Sequence, residues 1–304
     1  MAMPTLLDIA AANGSDAVVG LIDEAIKAHP ELTAGAARTI RGVHYKTRVR
    51  TALPSVGFRN ANEGVAATKP TYENRLVECY ILNPRWECDK AVADSCEDGA
   101  EAYIAEDGVA MLEAAMQALA GQFYYGTGKD AKGFPGLLAA HDTANMVVDA
   151  GGTTASTGSS VWAVRFGPRE VTWVYGNNGD LALSDVTEER VTDGSGNPFT
   201  AYCQEILARP GLQVASVYSI ARIKKLTEDS GKGLTDDLIS TLLSKFPVGK
   251  RPDVLLMTRR SLRQLQQSRT ATNATGAPAP IPTESFGVPI QPTDSITDTE
   301  ALTL

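Results

Sequence analysis

The chain has 304 residues, of which 43% are hydrophobic and 21% charged, a balance typical of a folded globular protein with a sizeable core. Its formal net charge of −8 argues against a dedicated nucleic-acid-binding protein, because affinity for phosphate groups needs a basic surface. No stretch approaches 18 consecutive apolar residues, and the N-terminus has no basic start followed by an apolar run, so the sequence predicts neither a membrane span nor a signal peptide.

The first predicted element is a short amphipathic helix over residues 15–28. Ser15 is a suitable N-cap, and Pro30 ends the helix. Between them, apolar residues recur at helical spacing: Val18, Leu21, Ile22, Ala25 and Ile26. The sequence therefore predicts a helical N-terminal arm.

A long extended segment follows, at residues 38–85. Alternation from Val43 to Val49 predicts one strand, and alternation from Leu76 to Leu82 predicts its return. The connection between them is rich in Pro, Gly and Asn, which break regular structure. It has few large apolar residues and cannot build a core alone, so it either stays mobile or lies against something else.

Charge is distributed unevenly between this segment and the next. Six basic residues and no acid occur from Arg38 to Arg59, whereas nine acids and a single lysine occur from Glu87 to Glu113. Opposite charges on two parts of one chain can satisfy each other between copies.

The strongest helical pattern runs from about Cys96 to Tyr125. Ser95 is the predicted N-cap and Gly126 the predicted end, and the helix would be roughly 40 Å long. Three internal glycines weaken it, so tertiary packing must hold it.

The remainder predicts alternating strands and helices. SVWAVRFG and EVTWVYG predict strands, and PFTAYCQEILA and LQVASVYSIARI predict a second, paired set joined at Arg209-Pro210-Gly211. Further on, the pattern predicts helices near 235–246 and 259–268, a strand at DVLLMT, short strands at Val288–Ile290 and at the C-terminus, and a flexible loop at 271–283. The predicted fold class is α+β.

No motif predicts catalysis, a cofactor or a metal. Gly128-Lys129 is followed by Asp130 and lacks the spacing of a phosphate-binding loop. The pair His141-Asp142 has no serine or cysteine in a nucleophile setting, and four cysteines and three histidines are too scattered for a metal cluster. The acids at 87–113 and the basic cluster at 250–269 are best explained as charged surfaces.

Several segments, in their order and spacing, carry a family resemblance. They are ALPSVGFRNANEG in the hairpin, FYYGTGKDAKGFPGL at the end of the long helix, SVWAVRFGPREVTWVYG, the AYCQEI and GLQVASVYSIARI pair, and FGVPIQPTDSITDTEALTL. With them the chain resembles the major capsid proteins of tailed bacteriophages that share the Hong Kong 97 fold.

The resemblance implies a division of the chain into parts. These are an N-terminal arm (1–37), an extended loop (38–85), a peripheral domain with the long spine helix (86–134), a connector and β-rich part of the axial domain (135–198), long peripheral strands (199–226) and the rest of the axial domain (227–304). Because strands at 199–224 precede the axial elements, the layout is similar to the permuted variant of some short-tailed phages.

The resemblance also implies function and partners. We expect an icosahedral shell around double-stranded DNA, built from hexamers and pentamers of the chain in a bacterial cytoplasm. The short arm predicts a separate scaffolding protein, and a portal, a decoration protein and non-specific contact with packaged DNA are further expected partners. An encapsulin-type cellular shell, a soluble α+β enzyme and a tail or decoration protein are the alternatives.

The expected contact between copies combines charge with apolar burial. We expect Arg48, Arg50 and Arg59 to meet the acidic stretch of an adjacent copy. Apolar burial should come from Val56, Phe58 and Val65 of the loop and from the arm helix. The acidic residues are Glu97, Asp98, Glu101, Glu106 and Asp107.

Overall fold

A computed structural model describes residues 3–13, 25, 27–140, 145–179, 181, 183–273 and 277–303. Most of the helix predicted at 15–28, together with His141 and Asp142, lies outside these residues. The helices are α1 (Leu6–Ala12), α2 (Pro30–Ala34), α3 (Lys90–Ala93), α4 (Ala100–Tyr125), α5 (Leu137–Ala140), α6 (Asp236–Ser244) and α7 (Arg259–Ala271).

The strands are distributed over four sheets. They are β1 (Ala37–Thr39), β2 (His44–Ala52), β3 (Thr71–Glu78), β4 (Arg85–Asp89), β5 (Val147–Asp149), β6 (Ser159–Val164), β7 (Val171–Tyr175), β8 (Thr187–Thr192), β9 (Pro198–Glu205), β10 (Pro210–Val214), β11 (Ile220–Leu226), β12 (Val254–Met257), β13 (Glu284–Ser285) and β14 (Val288–Pro292). The α+β class is confirmed.

The largest sheet has six strands in the order β13-β14-β12-β6-β11-β5. Its central strands β6 and β12 are buried along their whole length, which explains why their sequences are nearly continuous apolar runs. Helices α6 and α7 contribute Ile239, Leu242 and Leu265 to the core beside this sheet. The predictions for α6, α7, β12 and β14 are confirmed.

An aromatic cluster joins the end of α4 to the second sheet, β1-β7-β10. Phe123 stacks on Trp173 with ring centroids 5.3 Å apart, and Tyr124 lies beside Trp162 of the six-stranded sheet. The third sheet, β4-β9-β8, contacts the first half of α4 through β4. The long helix thus runs between the two halves of the fold, as its spine-like length of about 39 Å allows.

The fourth sheet is the predicted basic hairpin. Strands β2 and β3 pair antiparallel, with His44 opposite Glu78 and Arg48 opposite Asn74. Residues 53–70 between them contain no helix or strand, as predicted.

Three sequence predictions are wrong. The long helix starts at Ala100 rather than near Cys96, because Gly99, at φ 91°, separates it from α3, and Ser95 donates its hydroxyl to the carbonyl of Ala91 instead of capping α4. No strand forms at the C-terminus within the described residues, where Glu300 makes only an isolated bridge to Gly158.

The third correction concerns the strands predicted to pair between 199 and 226. β9 pairs with β4 and β8, β10 pairs with β7, and β11 lies in the six-stranded sheet. The second sequence run is interrupted because the Ser216 hydroxyl accepts from the Tyr218 amide and starts a 3-10 turn at Val217–Ser219. The strands of this range are therefore divided among three sheets.

Candidate inter-subunit surface

A basic cleft lies between the base of the hairpin and the body of the subunit. Its volume is about 870 Å³, and the described residues that line it include seven basic side chains and no carboxylate. The basic residues are Arg38, Lys46, Arg48, Arg50, Arg75, Arg169 and Lys250. Glu73, 3.8 Å from Arg75, offsets one of these charges. In a chain of net charge −8, such a concentration of cations marks a place for an anionic partner.

The base of the hairpin is fixed to the body. The Tyr45 hydroxyl donates to Oε1 of Gln213, Nη1 of Arg75 donates to the carbonyl of Ala215 at 3.3 Å, and Val77 is buried. The guanidinium of Arg48 lies over the ring of Tyr72, 3.8 Å from its centroid. These contacts fix the positions of the basic side chains of the hairpin. Because the partners in these contacts are uncharged, they leave the positive charge in place.

The loop tip, residues 53–70, has a different character. Val56 and Phe58 are 90% and 110% exposed, and Leu53 and Val65 are also exposed. The Arg59 guanidinium donates to the carbonyl of Glu63 at 2.8 Å, which shapes the turn. Large apolar side chains at the end of a projecting hairpin are the feature expected of a segment that is buried only against a partner.

The acidic surface consists of Glu97, Asp98, Glu101 and Glu106, all of which are exposed. It begins at the corner between α3 and α4 and continues along the first turns of α4. Asp89 caps α3 by accepting from the Ala91 amide, and Oδ1 of Asn13 accepts from the Glu97 amide at 2.9 Å. Hydrogen bonds to Asp89 and to Asn13 therefore fix the corner between α3 and α4.

Asp107 differs from the other predicted acidic residues. It is partly buried and accepts a hydrogen bond from Nε1 of Trp86 at 2.8 Å. Burial raises the pKa of its carboxyl group, although the hydrogen bonds from Trp86 and Tyr103 oppose the rise. Asp107 thus stabilises its own subunit and is set apart from the exposed acidic surface.

The structure does not bring the two charged sets together within one chain. Among the described residues, Arg48, Arg50 and Arg59 form no ion pair with the stretch from Glu97 to Asp107. Sequence reasoning missed Arg169 and assigned Lys250 to the separate basic cluster at 250–269, because tertiary structure alone brings both residues beside the hairpin. It also missed the exposed leucines of α1, which no charge pattern marks.

Two buried polar clusters were also missed by sequence reasoning. Glu31 is fully buried and accepts from the hydroxyl groups of Tyr124, Thr293 and Ser295. Burial raises the pKa of the Glu31 carboxyl group despite these hydrogen bonds. Arg222 and Glu300 form an ion pair of 2.9 Å that is almost completely buried.

In the part of the chain that the structure describes, no group of three or more His, Cys, Asp or Glu side chains could hold a metal ion. Across the same residues, no helix combines the length and apolar character needed to cross a membrane.

Comparison with known proteins gives the family. The family model of major capsid protein GP7 matches residues 37–303. No curated protein matches the chain. Solved structures do: a chain of bacteriophage Epsilon15 superposes with a TM-score of 0.73 at 22% identity, covering 99% of this chain and 98% of that one.

Two further structures are similar to a lesser extent. The bacteriophage JBD30 capsid gives a TM-score of 0.51 at 10% identity, covering 92% of this chain and 93% of that one. The SrpI encapsulin of Synechococcus elongatus gives a TM-score of 0.49 at 9% identity, covering 73% of this chain and 95% of that one, an overlap too weak to support the encapsulin alternative.

The phage structures show that the fold is of the Hong Kong 97 type. With the family match over residues 37–303, the chain belongs to the major capsid protein GP7 family and is a structural subunit of a phage capsid shell.

Proposed function

We propose that subunits of the shell are joined by the extended hairpin of one copy and the acidic surface of the next. The observation that carries this proposal is the basic cleft of about 870 Å³, in which the described lining residues include seven basic side chains and no carboxylate. Arg48 and Arg50 line the cleft, and Arg59 extends the positive charge into the loop tip. Glu97, Asp98, Glu101 and Glu106 offer exposed negative charge, and Asp107 supports the helix behind them.

Charge and apolar burial have different roles in this contact. An exposed ion pair contributes only about 0–1 kcal/mol, so the arginines mainly set the register of docking and disfavour wrong partners. Val56 and Phe58 are highly exposed in the single subunit, so docking would bury apolar surface of both side chains. Burial of apolar surface stabilises a contact by roughly 25 cal/mol per Å². Affinity should therefore come from the loop tip, and specificity from the cleft.

We assign the parts of the chain by the same argument. Residues 38–85 act as the extended loop, 86–134 as the peripheral domain with its spine helix, and 227–304 as the main part of the axial domain. Residues 1–37 act as the arm, 135–198 as the connector and the β-rich part of the axial domain, and 199–226 as the long strands of the peripheral domain, although β11 at the end of this last range pairs within the six-stranded sheet. The division is supported by the separate sheets beside α4 and beside α6 and α7.

The proposed partners are those that a subunit of a capsid shell would need. We propose that the chain forms hexamers and pentamers in the host cytoplasm, and that a separate scaffolding protein and a portal direct its assembly. A decoration protein could be bound on the outside, and packaged DNA would be touched without sequence preference. In this role the chain needs no catalytic residue or cofactor.

Charge reversal tests the proposed contact. We expect the triple variant Arg48→Glu, Arg50→Glu, Arg59→Glu to remain folded, because all three side chains are exposed, but to lose closed particles in electron microscopy. Reversing the exposed Lys132, Arg251 and Arg263 instead is the matched control and should leave assembly intact. Adding Glu97→Arg, Glu101→Arg and Glu106→Arg to the first variant should restore particles. Normal shells from the arginine variant alone would refute the proposal.

A further inference from the structure

We infer that helix α1 completes the surface that receives the loop tip, with Leu6 and Leu7 of one copy packing against Val56 and Phe58 of the next. This inference rests on the proposed contact between copies and names the apolar half of its receptor. The occupant is residues 53–70 of a second copy of this chain.

Helix α1 is fixed to the corner that carries the acidic surface. Ile9 is 2% exposed and packs with Cys88, Ala93 and Tyr103 from β4, α3 and α4. Just after the helix, the Asn13 side chain donates to the carbonyl of Ser95 at 3.3 Å and accepts from the Glu97 amide. A seven-residue helix is too short to be stable alone, so these contacts determine where it lies.

The outer side of the same helix is apolar. Leu6 and Leu7 are 62% and 82% exposed, although α1 is anchored one turn away through Ile9. Their neighbours are acidic: Asp8 follows them in the helix, and Glu97 and Asp98 flank the anchoring contacts of Asn13. No basic residue occurs among residues 3–13. The corner therefore presents an apolar centre with an acidic rim.

The loop tip has the opposite charge around a similar centre. Val56 and Phe58 are the exposed apolar side chains, and Arg59 and Lys69 are its basic residues, against the single acid Glu63. Interfaces between proteins typically combine a buried apolar centre, often with an aromatic anchor, and a polar rim of complementary charge. The loop tip and the corner that carries α1 each have an apolar centre, and the charges around the two centres are opposite. The loop tip of a second copy is therefore the occupant that fits this corner.

Cysteine cross-linking tests the inference directly. In a chain carrying Cys96→Ser, which removes the half-buried thiol at the corner, Phe58→Cys is combined with Leu7→Cys. We expect oxidised shells to give a ladder of covalently linked chains on non-reducing gels. Phe58→Cys combined with Val248→Cys, a fully exposed position beyond α6, should give no ladder. Shells that form normally but give no ladder with Leu7→Cys overturn the inference and leave the proposed contact standing.

A second pair of variants measures the apolar contribution. Leu7→Asp and Phe58→Asp should each raise the protein concentration needed for assembly by at least tenfold, because each places an unpaired carboxylate in the apolar centre. Val109→Asp, on an exposed position of α4, should raise it less than twofold. If Leu7→Asp assembles like the parent chain, the inference is wrong. If the three-arginine variant also assembles normally, the proposed contact fails with it.

Discussion

At the scale of single residues, the fold depends on charges that have been removed from water. Arg222 and Glu300 are almost fully buried, and Glu300 also accepts from the hydroxyls of Tyr125 and Ser160. This network fixes the C-terminal segment to the six-stranded sheet. Removing one partner of a buried pair leaves the other charge without compensation, which costs more than the pair contributes.

We expect Glu300→Ala to lower the free energy of unfolding of the unassembled subunit by about 3–5 kcal/mol. Glu228→Ala is the control, because its ion pair with Arg263 is exposed and should be worth less than about 1 kcal/mol. Urea unfolding of the two variants measures both values. Equal losses would show that the buried network is not a major source of stability.

Glu31 makes stability depend on pH. Its pKa is raised by burial above the ordinary value of 4.5, so the folded state binds this proton more tightly than the unfolded state does. The resulting stabilisation is fully present below pH 4.5 and is lost as the pH rises through the raised pKa. Glu31→Gln should therefore flatten the pH dependence of unfolding above pH 4.5. Parallel curves for the variant and the parent chain would contradict this assignment.

Sequence reasoning recovered only part of the residue-scale picture. The basic and acidic runs are contiguous in the chain, so their charge can be read directly, and the exposed Phe58 follows from its place in a segment without a core. Glu31 and Glu300 could not be identified, because Tyr124, which donates to Glu31, is more than 90 residues away and Arg222, which pairs with Glu300, is more than 70 residues away. From the sequence alone, a glutamate that will be buried cannot be distinguished from one on the surface, because the residues that surround it in the fold are not known.

At the scale of elements, the spine helix shows where local signals succeed and fail. Its end at Gly126 was predictable, because glycine adopts the positive φ angle that commonly ends a helix and Gly126 follows the last apolar position of the pattern. Its start was not, because Ser95 is a good cap by sequence, yet its hydroxyl donates to the carbonyl of Ala91 in α3 and the helix starts after Gly99. The run at 212–223 was predicted as one strand because nothing in its composition marks the 3-10 turn that divides it.

Gly126 should be the most sensitive glycine of this helix. Its φ of 52° and ψ of −129° disfavour a side chain, and a Cβ there would collide with the backbone nitrogen of Gly136. We expect Gly126→Ala to destabilise the subunit by at least about 3 kcal/mol. Gly128→Ala, which meets no atom within 4 Å, should change stability by about 0.5 kcal/mol or less. Thermal unfolding compares the two, and similar melting temperatures would contradict the proposed constraint.

At the scale of the whole molecule, one subunit is an incomplete structure. The six-stranded sheet and the aromatic cluster are closed cores, but within residues 3–13, 25 and the described parts from 27 onward, the loop tip, the basic cleft and the outer side of α1 have no partner of matching character. Sequence reasoning reached this conclusion from the loop alone, and the fold adds the cleft and the position of α1. The extended loop is therefore best understood as part of a neighbour's surface.

The most direct test is a high-resolution electron cryomicroscopy map of particles assembled from the purified chain. We predict closed shells in which residues 53–70 lie on an adjacent copy, with Phe58 covered and the arginines of the hairpin facing Glu97–Glu106. Particles in which this loop is folded against its own subunit, leaving the acidic surface of every copy in solvent, would contradict the account.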